Sequence, residues 1–386
     1  MTGPGTRQKR TGAKIWTNDA ELELQAQAVA DIYANLQTEL IDQIITKVKA
    51  RGQYDLEREP YLWQLEKLND LHGLNRANLQ TIADRSGVAV ETLERVIETE
   101  GLKIYEDTRE QLNAERAGQY NKAQAALTAY AAQARGDLDN LTNTTLPKEL
   151  RKMYQGIVEE TVAEVVIGNA TREAAMAKTV MRWAARGFTG FTDAAGREVR
   201  ADTYARAVIK TTTYSVYNNM RTSAAEELGV DTYYYSMKPA AREACAPLQG
   251  RIVTKGPART EKGERVLSLP DYGYGTAGGC LGVHCGHYLT PHRIGVNEKP
   301  ELPDYLKDLT PEQAQENARL VAKQRSLERS IREHKRLAHH AETLGDPDVI
   351  RAERQHVRNY QAKERALVEE HAILHRDYNR ERPFIG

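Results

Sequence analysis

Apolar residues recur at helical spacing along most of this 386-residue chain, and this periodicity restricts its fold more than any other feature. The first long series lies between a capping Asn18 and Gly52, and its members are Leu22, Val29, Ile32, Leu36, Leu40, Ile44 and Val48. This spacing places the apolar side chains on one face of a helix. Charged residues make up 28% of the chain and the mean hydropathy is −0.65, which favours long two-sided helices over one compact globule.

Changes in this pattern divide the chain into four segments. We predict a flexible basic arm at residues 1–16 and a helical region at 17–186. We predict an α+β domain with the Cys/His glycine-rich loop at 187–307 and two antiparallel helices at 308–386. The basic residues of the arm are Arg7, Lys9, Arg10 and Lys14. The predicted fold class is therefore mainly α with a central α+β domain, a helical N-terminal region and a C-terminal antiparallel helical hairpin.

Several boundaries follow from local signals. We expect a second helix that has its apolar face at Tyr61, Leu62, Leu65 and Leu68 and ends at Gly73. We also expect a polar break at 137–147 and a β-hairpin after Gly187. Proline after Thr310 marks a helix start, and Gly345 marks the turn between the two helices of the tail.

Charge and hydropathy exclude several classes of protein. Lys plus Arg and Asp plus Glu both total 54, so no global field favours nucleic acid or an anionic membrane. No apolar run reaches about 18 residues, so we expect no membrane span. The N-terminus lacks the apolar core of a signal peptide, which predicts synthesis in a cytoplasm and three reduced cysteines.

Residues 78–99 have the spacing of a helix-turn-helix, with a small residue at Ala83 and a turn glycine at Gly87. The second helix would carry four glutamates against Arg95 alone, so phosphates would repel it. We therefore predict a structural helical corner here, while a DNA-reading motif is the alternative.

The stretch 272–287 combines six glycines with Cys280, His284, Cys285 and His287. Cysteine and histidine are the ligands that zinc prefers, and it takes about four of them in a tetrahedron. The candidate zinc ligands are Cys280, Cys285 and His287 with Cys245, His284 or His292 as the fourth, and the set that we favour is Cys245, Cys280, Cys285 and His287.

Other interpretations of this stretch remain open. The favoured one is structural, with Cys285 as a small buried apolar residue and His287 as a hydrogen-bonded side chain that orients the loop. A Cys285–His287 hydrolase is disfavoured because a base two residues away usually cannot reach the nucleophile in line, and because no strand–turn–helix elbow surrounds Cys285. A nuclease is disfavoured because Asp202 and Glu226 lie on separate parts of a predicted helix and loop, with no Asp-x-Asp or Glu-x-Lys motif beside them. No cofactor is certain, and zinc is the one alternative.

The order of these motifs resembles the phage minor capsid protein 2 family of tailed phages of Gram-positive bacteria. The resemblance covers nearly the whole chain, and its specific part lies within 237–295. The residues that match the family pattern are Arg242, Cys245, Gln249, Gly250, Arg251, Tyr272, Gly273, Gly275, Gly282, Cys285 and His287. The chain is also similar, more loosely, to head-morphogenesis proteins of the phage Mu type.

Two departures from the family pattern bear on function. Met237-Lys238 stands where the family has a histidine, and His284-Cys285-Gly286-His287 replaces Asn-Cys-Arg-His. A chain without that histidine cannot use it as a base or a ligand, which argues against an enzyme.

The resemblance implies a non-enzymatic minor component of the virion head near the portal vertex, assembled in the host cytoplasm. It would act in head morphogenesis and in genome packaging or delivery. The implied partners are the portal protein and the major capsid protein, with the basic arm contacting packaged DNA, and the implied state is an oligomer or low-copy assembly around the portal. The alternative is a virion-carried metal- or Cys/His-dependent enzyme or DNA-acting effector.

Overall fold

The computed structural model describes residues 14–112, 114, 118–167, 170–192 and 196–383, and the side chains of these residues outside 14–27 and 71–77. The helices are α1 Lys14–Lys49, α2 Pro60–Asn69, α3 Leu71–Arg95, α4 Gly101–Gln111, α5 Tyr120–Asn140, α6 Leu146–Val166, α7 Arg172–Arg186, α8 Ala201–Glu227, α9 Asp304–Lys307, α10 Pro311–Leu344 and α11 Pro347–Glu370. The strands are β1 Thr189–Thr192, β2 Glu198–Arg200, β3 Thr232–Tyr235, β4 Ile252–Thr254, β5 Arg259–Glu261, β6 Glu264–Ser268 and β7 Leu289–Pro291. The predicted fold class is confirmed. None of the helices in the described ranges combines the length and apolar character that crossing a membrane requires.

Helix α1 lies at the centre of the helical part and packs against α3, α8 and α10. Its predicted apolar face is buried at Leu36, Leu40 and Ile44. The helix begins at Lys14, so the prediction of a cap at Asn18 is wrong and the end of the predicted arm is helical. No proline or glycine stands between residues 14 and 18 to stop the helix there. Arg7, Lys9 and Arg10 lie outside the described residues.

Helix α2 buries a different face from the one expected. Its apolar residues Tyr61, Leu62 and Leu65 are exposed, whereas Trp63 and Lys67 are buried. The Lys67 ammonium donates to the carbonyl oxygens of Lys47 and Ala50, which lie at the end of α1 and lack helical partners. Satisfying those carbonyls turns this face of α2 inward.

The predicted helical corner at 78–99 is wrong, because α3 runs without a turn from Leu71 to Arg95. It continues through a π-helical segment, Val96–Glu100, into α4. Ala83 and Gly87 are both exposed and helical. Ala83 therefore does not mark a close helix contact, and Gly87 does not mark a turn. Gly73 and the predicted break at 137–147 also lie in helical backbone, since other helices cover these segments and packing outweighs local propensity.

The β-structure forms two sheets, one before and one after α8 in the chain. The predicted hairpin of β1 and β2 precedes this helix, and a five-stranded sheet with the order β5-β6-β4-β3-β7 follows it. Strands β4 and β6 are parallel, and the other neighbours are antiparallel. Helix α8 contributes Val216 and Met220 to the large helical core and Ala225 to a second core that the sheet shares with the cysteines. The second core holds the candidate site.

The C-terminal hairpin of α10 and α11 has the expected start and the expected turn. Thr310 and Gln313 form a capping box at the start of α10, and Gly345 adopts the left-handed conformation after its end. The second helix is shorter than predicted, because α11 ends at Glu370. The chain then folds back on α10, where Gln324 donates to the carbonyl of His375. Buried polar partners on α10 therefore fix the returning segment.

Candidate functional site

The candidate site joins two long connections of the five-stranded sheet. Cys245 lies in the connection from β3 to β4, directly before a single 3₁₀ turn, and Cys285 and His287 lie just before β7. The two sulfur atoms are 3.7 Å apart, and the Cys285 sulfur is 3.4 Å from Nδ1 of His287. Because β3 pairs with β7, residues forty positions apart in the sequence meet at the same end of the sheet.

The hydrogen bonds of Gln249 define the tautomer of His287. The side-chain oxygen of Gln249 accepts the backbone N–H of Lys238 at 2.6 Å, so this atom is an acceptor. The same oxygen lies 2.9 Å from Nε2 of His287, which must therefore donate a proton to it. In the neutral imidazole the lone pair is then on Nδ1, and it points towards the cysteine sulfurs.

A hydrogen bond joins the two thiols, and either sulfur can be its donor. The hydrogen bond with Cys285 lowers the pKa of the Cys245 thiol, and the same hydrogen bond raises the pKa of Cys285. The backbone N–H of His287 also donates to the Cys285 sulfur at 3.5 Å. The phenol ring of buried Tyr235 lies 5.1 Å from the imidazole of His287. Burial raises the pKa of Tyr235, so its hydroxyl keeps its proton.

The other predicted ligands lie outside this cluster. Cys280 is fully buried in the same core, but its thiol donates to the carbonyl of Leu269 at 3.6 Å, and burial raises its pKa to about 12. His284 is exposed, in a left-handed backbone conformation. His292 is buried at the far end of β7, where its backbone pairs with Thr232. The cluster therefore consists of Cys245, Cys285 and His287.

Arg242 holds the glycine-rich loop against this cluster. Its guanidinium donates to the carbonyl oxygens of Gly279 and Val283 at 2.7 and 3.2 Å. Within the loop the backbone of Gly279 lies so close to Gly273 that an added Cβ would be 1.8 Å from its carbonyl oxygen. Only glycine fits at position 279, because any side chain would separate the two strands of the loop.

The remaining motif residues shape the two connections. The backbone N–H of Gly250 donates to the Tyr235 carbonyl, and the Tyr272 carbonyl accepts from Cys280. Gly282 packs against the carbonyls of Thr276 and Ala277. Gly250, Gly273 and Gly275 have positive φ, a backbone conformation that favours glycine. The side chain of Arg251 is exposed.

A second polar cluster, Asp42 with His339 and His340, joins α1 to α10. Its carboxylate oxygens lie 2.7 Å from Nε2 of His339 and 2.8 Å from Nδ1 of His340. Burial opposes the ionisation of Asp42, yet its hydrogen bonds with His340 and His339 hold its pKa below the ordinary value. A consecutive histidine pair was a weak signal, and only helix packing brings Asp42 to it.

His340 is fully buried and neutral. Because the Asp42 carboxylate can only accept, Nδ1 of His340 donates, and Nε2 carries the lone pair. This Nε2 has no hydrogen-bond partner among the described residues, and burial lowers the pKa of His340. Protonation would therefore bury a donor without an acceptor.

The two acids considered for a nuclease occupy separate ion pairs. Asp202 lies near Arg200 and Arg336 at the start of α8, and Glu226 pairs with Lys255 near its end. The length of α8 separates them, so they cannot share a metal ion.

Comparison with known proteins assigns the family. The sequence model of the family described as "Phage minor capsid protein 2" matches residues 17–369. The chain belongs to this family. The match includes both connections that build the Cys245–Cys285–His287 cluster, and it confirms the resemblance based on the 237–295 motif.

Relatives of this minor capsid protein have been described as structural proteins. A structural protein of Lactococcus phage LL-H is 29% identical over 372 residues, which make up 92% of this chain and 99% of that relative. A structural protein of Lactococcus phage mv4 is 35% identical over 115 residues, 30% of this chain and 89% of that relative. No solved structure matches. The minor capsid protein is thus a structural component of a phage virion.

Proposed function

We propose that this protein is a non-enzymatic, low-copy component of the phage head at the portal vertex, where it acts in head morphogenesis and in genome packaging or delivery. The observation that carries the proposal is the burial of its one Cys/His cluster in the described part of the chain. Cys245 is 0% exposed, His287 5% and Cys285 8%. A nucleophile for a macromolecular substrate must be reachable, and these atoms face the protein interior.

The extent of the similarity supports the same role. The alignment with the structural protein of phage LL-H spans 99% of that relative, so the likeness is not confined to one shared domain. We expect the portal protein and the major capsid protein to be its partners, around which it forms a low-copy or oligomeric assembly in the host cytoplasm. The basic residues of the arm, Arg7, Lys9 and Arg10, would contact packaged DNA through its phosphates.

Chemical cross-linking of purified virions, followed by mass spectrometry, tests the location. We expect cross-links between this chain and the portal protein, and an abundance far below that of the major capsid protein. Cross-links spread over the whole shell at an abundance near that of the major capsid protein would refute a portal-vertex role.

The alternative of a Cys/His-dependent enzyme has its own test. Phage carrying Cys285→Ser in this chain would lose infectivity after normal head assembly if the cysteine were a nucleophile. We instead expect any defect to appear as fewer assembled heads, counted by electron microscopy. Normal numbers of heads that fail to infect would favour the enzyme.

A further inference from the structure

We propose that Cys245, Cys285 and His287 bind a structural zinc ion through two sulfurs and Nδ1, with the hydroxyl of Tyr235 turned towards the fourth position. This inference goes beyond the proposed function and does not depend on where in the virion the protein lies. It replaces the four-residue set of the sequence analysis, because Cys280 has a separate partner in the carbonyl of Leu269.

The distances within the cluster match the edges of a zinc tetrahedron. With Zn–S bonds of about 2.3 Å and tetrahedral angles, two sulfur ligands are about 3.8 Å apart, and here the separation is 3.7 Å. With a Zn–N bond of about 2.0 Å, sulfur and nitrogen ligands are about 3.5 Å apart, and here Cys285 and His287 are separated by 3.4 Å. The ligand atoms of all three residues lie within 4.8 Å of one another.

The surroundings of His287 are those of a metal ligand. A ligating imidazole usually donates its other N–H to a fixed acceptor, which orients the ring and selects the tautomer. Gln249 supplies that acceptor for Nε2, and the backbone of Lys238 fixes Gln249 in turn. The lone pair of Nδ1 is thereby directed at the position that the ion would occupy.

The cluster also balances the charge of the ion. Two thiolates and a neutral imidazole compensate the two positive charges of zinc, so the filled site can be buried without a net charge. On binding, the two thiols release their protons to solvent and each sulfur forms a bond to zinc, with no change of oxidation state. The backbone N–H of His287 already donates to the Cys285 sulfur, which favours its thiolate form.

Tyr235 provides an independent sign of a ligand. It is fully buried, and its hydroxyl has no nitrogen or oxygen hydrogen-bond partner in the described ranges of the chain but lies beside the sulfur of Cys245. Sulfur is a weak hydrogen-bond partner, so the burial of this hydroxyl is costly. A zinc ion held beside Tyr235 by the two cysteines would remove this cost.

A zinc ion here would tie the connection after β3 to the loop before β7. These two segments carry most of the residues that match the family pattern, and they are also linked by Arg242 and by the hydrogen bond between Gln249 and His287. The ion would thus hold the glycine-rich loop in shape from its inner side.

The test is the zinc content of the purified full-length protein, measured by elemental mass spectrometry after expression with added zinc. We expect one zinc per chain in the wild type and in the Cys280→Ser control, which removes an equally buried thiol of the same loop. Cys285→Ser should retain less than about one-tenth as much, because a structural zinc site needs its full ligand set.

A variant outside the ligand set keeps the test valid if Cys285→Ser unfolds. Gln249→Leu should weaken zinc binding about 10- to 100-fold while the far-ultraviolet circular dichroism of the helices is unchanged. The absence of zinc from the wild type would overturn the proposal, whether its thiols are free or its mass shows a Cys245–Cys285 disulfide. Equal zinc loss in Cys280→Ser, or full zinc affinity in Gln249→Leu, would also overturn it.

Discussion

Replacing Gly156 by alanine is expected to destabilise the protein, although alanine is the better helix former. Gly156 lies in α6 against Trp183 of α7, and an added Cβ would be 2.1 Å from Cζ2 of the indole ring. Carbon atoms in ordinary contact are about 3.5 Å apart, so the ring would have to move by about 1.4 Å. The indole N–H also donates to Glu160 at 3.1 Å, and this hydrogen bond resists the movement.

Two effects of opposite sign determine how much Gly156→Ala changes the free energy of unfolding. Exchanging a helical glycine for alanine stabilises by about 0.5–1 kcal/mol. Forcing an extra carbon into a packed contact costs about 1–3 kcal/mol. The overlap here is severe and the neighbour is a rigid ring, so we expect a net loss of about 1 kcal/mol in the free energy of unfolding.

Gly136→Ala is the matched control, because Gly136 lies on the exposed side of α5. No heavy atom among the described residues is within 4 Å of the position of its Cβ. Without the overlap, the same substitution should stabilise by about 0.4–1 kcal/mol. The two variants should thus shift the urea midpoint, followed by circular dichroism, in opposite directions. A Gly156→Ala protein as stable as Gly136→Ala would refute the close packing of α6 on α7.

Three further outcomes are expected. Because burial lowers the pKa of His340 from 6.5, the unfolded chain binds more protons below that pH, so the free energy of unfolding should fall as the pH drops through this range. Urea midpoints between pH 5 and pH 8 measure this fall, and a slope unchanged by His340→Gln would contradict it. Thr310→Ala should cost about 1 kcal/mol by removing the cap of α10, whereas Ser326→Ala, on the exposed face of the same helix, should have little effect on the same midpoint. Arg242→Met should speed hydrogen exchange of the amides in 276–286, and the exposed Arg251→Met should leave it unchanged; equal rates in both would show that Arg242 does not hold the loop.

Much of the helical architecture could be predicted because its signals are local. The capping box at Thr310 and the left-handed Gly345 depend on a few neighbouring residues, and both occur as expected. The apolar spacing of α1 likewise predicted its buried face. Such features need no knowledge of the rest of the chain.

Local signals failed where packing outweighed them. Gly73 and Gly87 suggested helix ends, yet both lie inside α3, since packing against α1 and α5 offsets the modest cost of a helical glycine. The inward face of α2 was also misjudged, because Lys67 finds carbonyl partners at the end of α1 that no pattern within α2 reveals.

The candidate site shows the same division. The sequence alone determined the chemistry present, since it placed two cysteines and two histidines in a glycine-rich segment and a third cysteine within the family motif. Only the tertiary structure decided that Cys245 joins Cys285 while Cys280 does not. That choice depends on the pairing of β3 with β7, whose paired residues lie more than fifty positions apart in the chain. It also depends on the hydrogen bond of Gln249 with His287, which are 38 positions apart. The sequence shows which cysteine and histidine side chains could bind a metal ion, whereas the pairing of distant strands decides which of them lie close together.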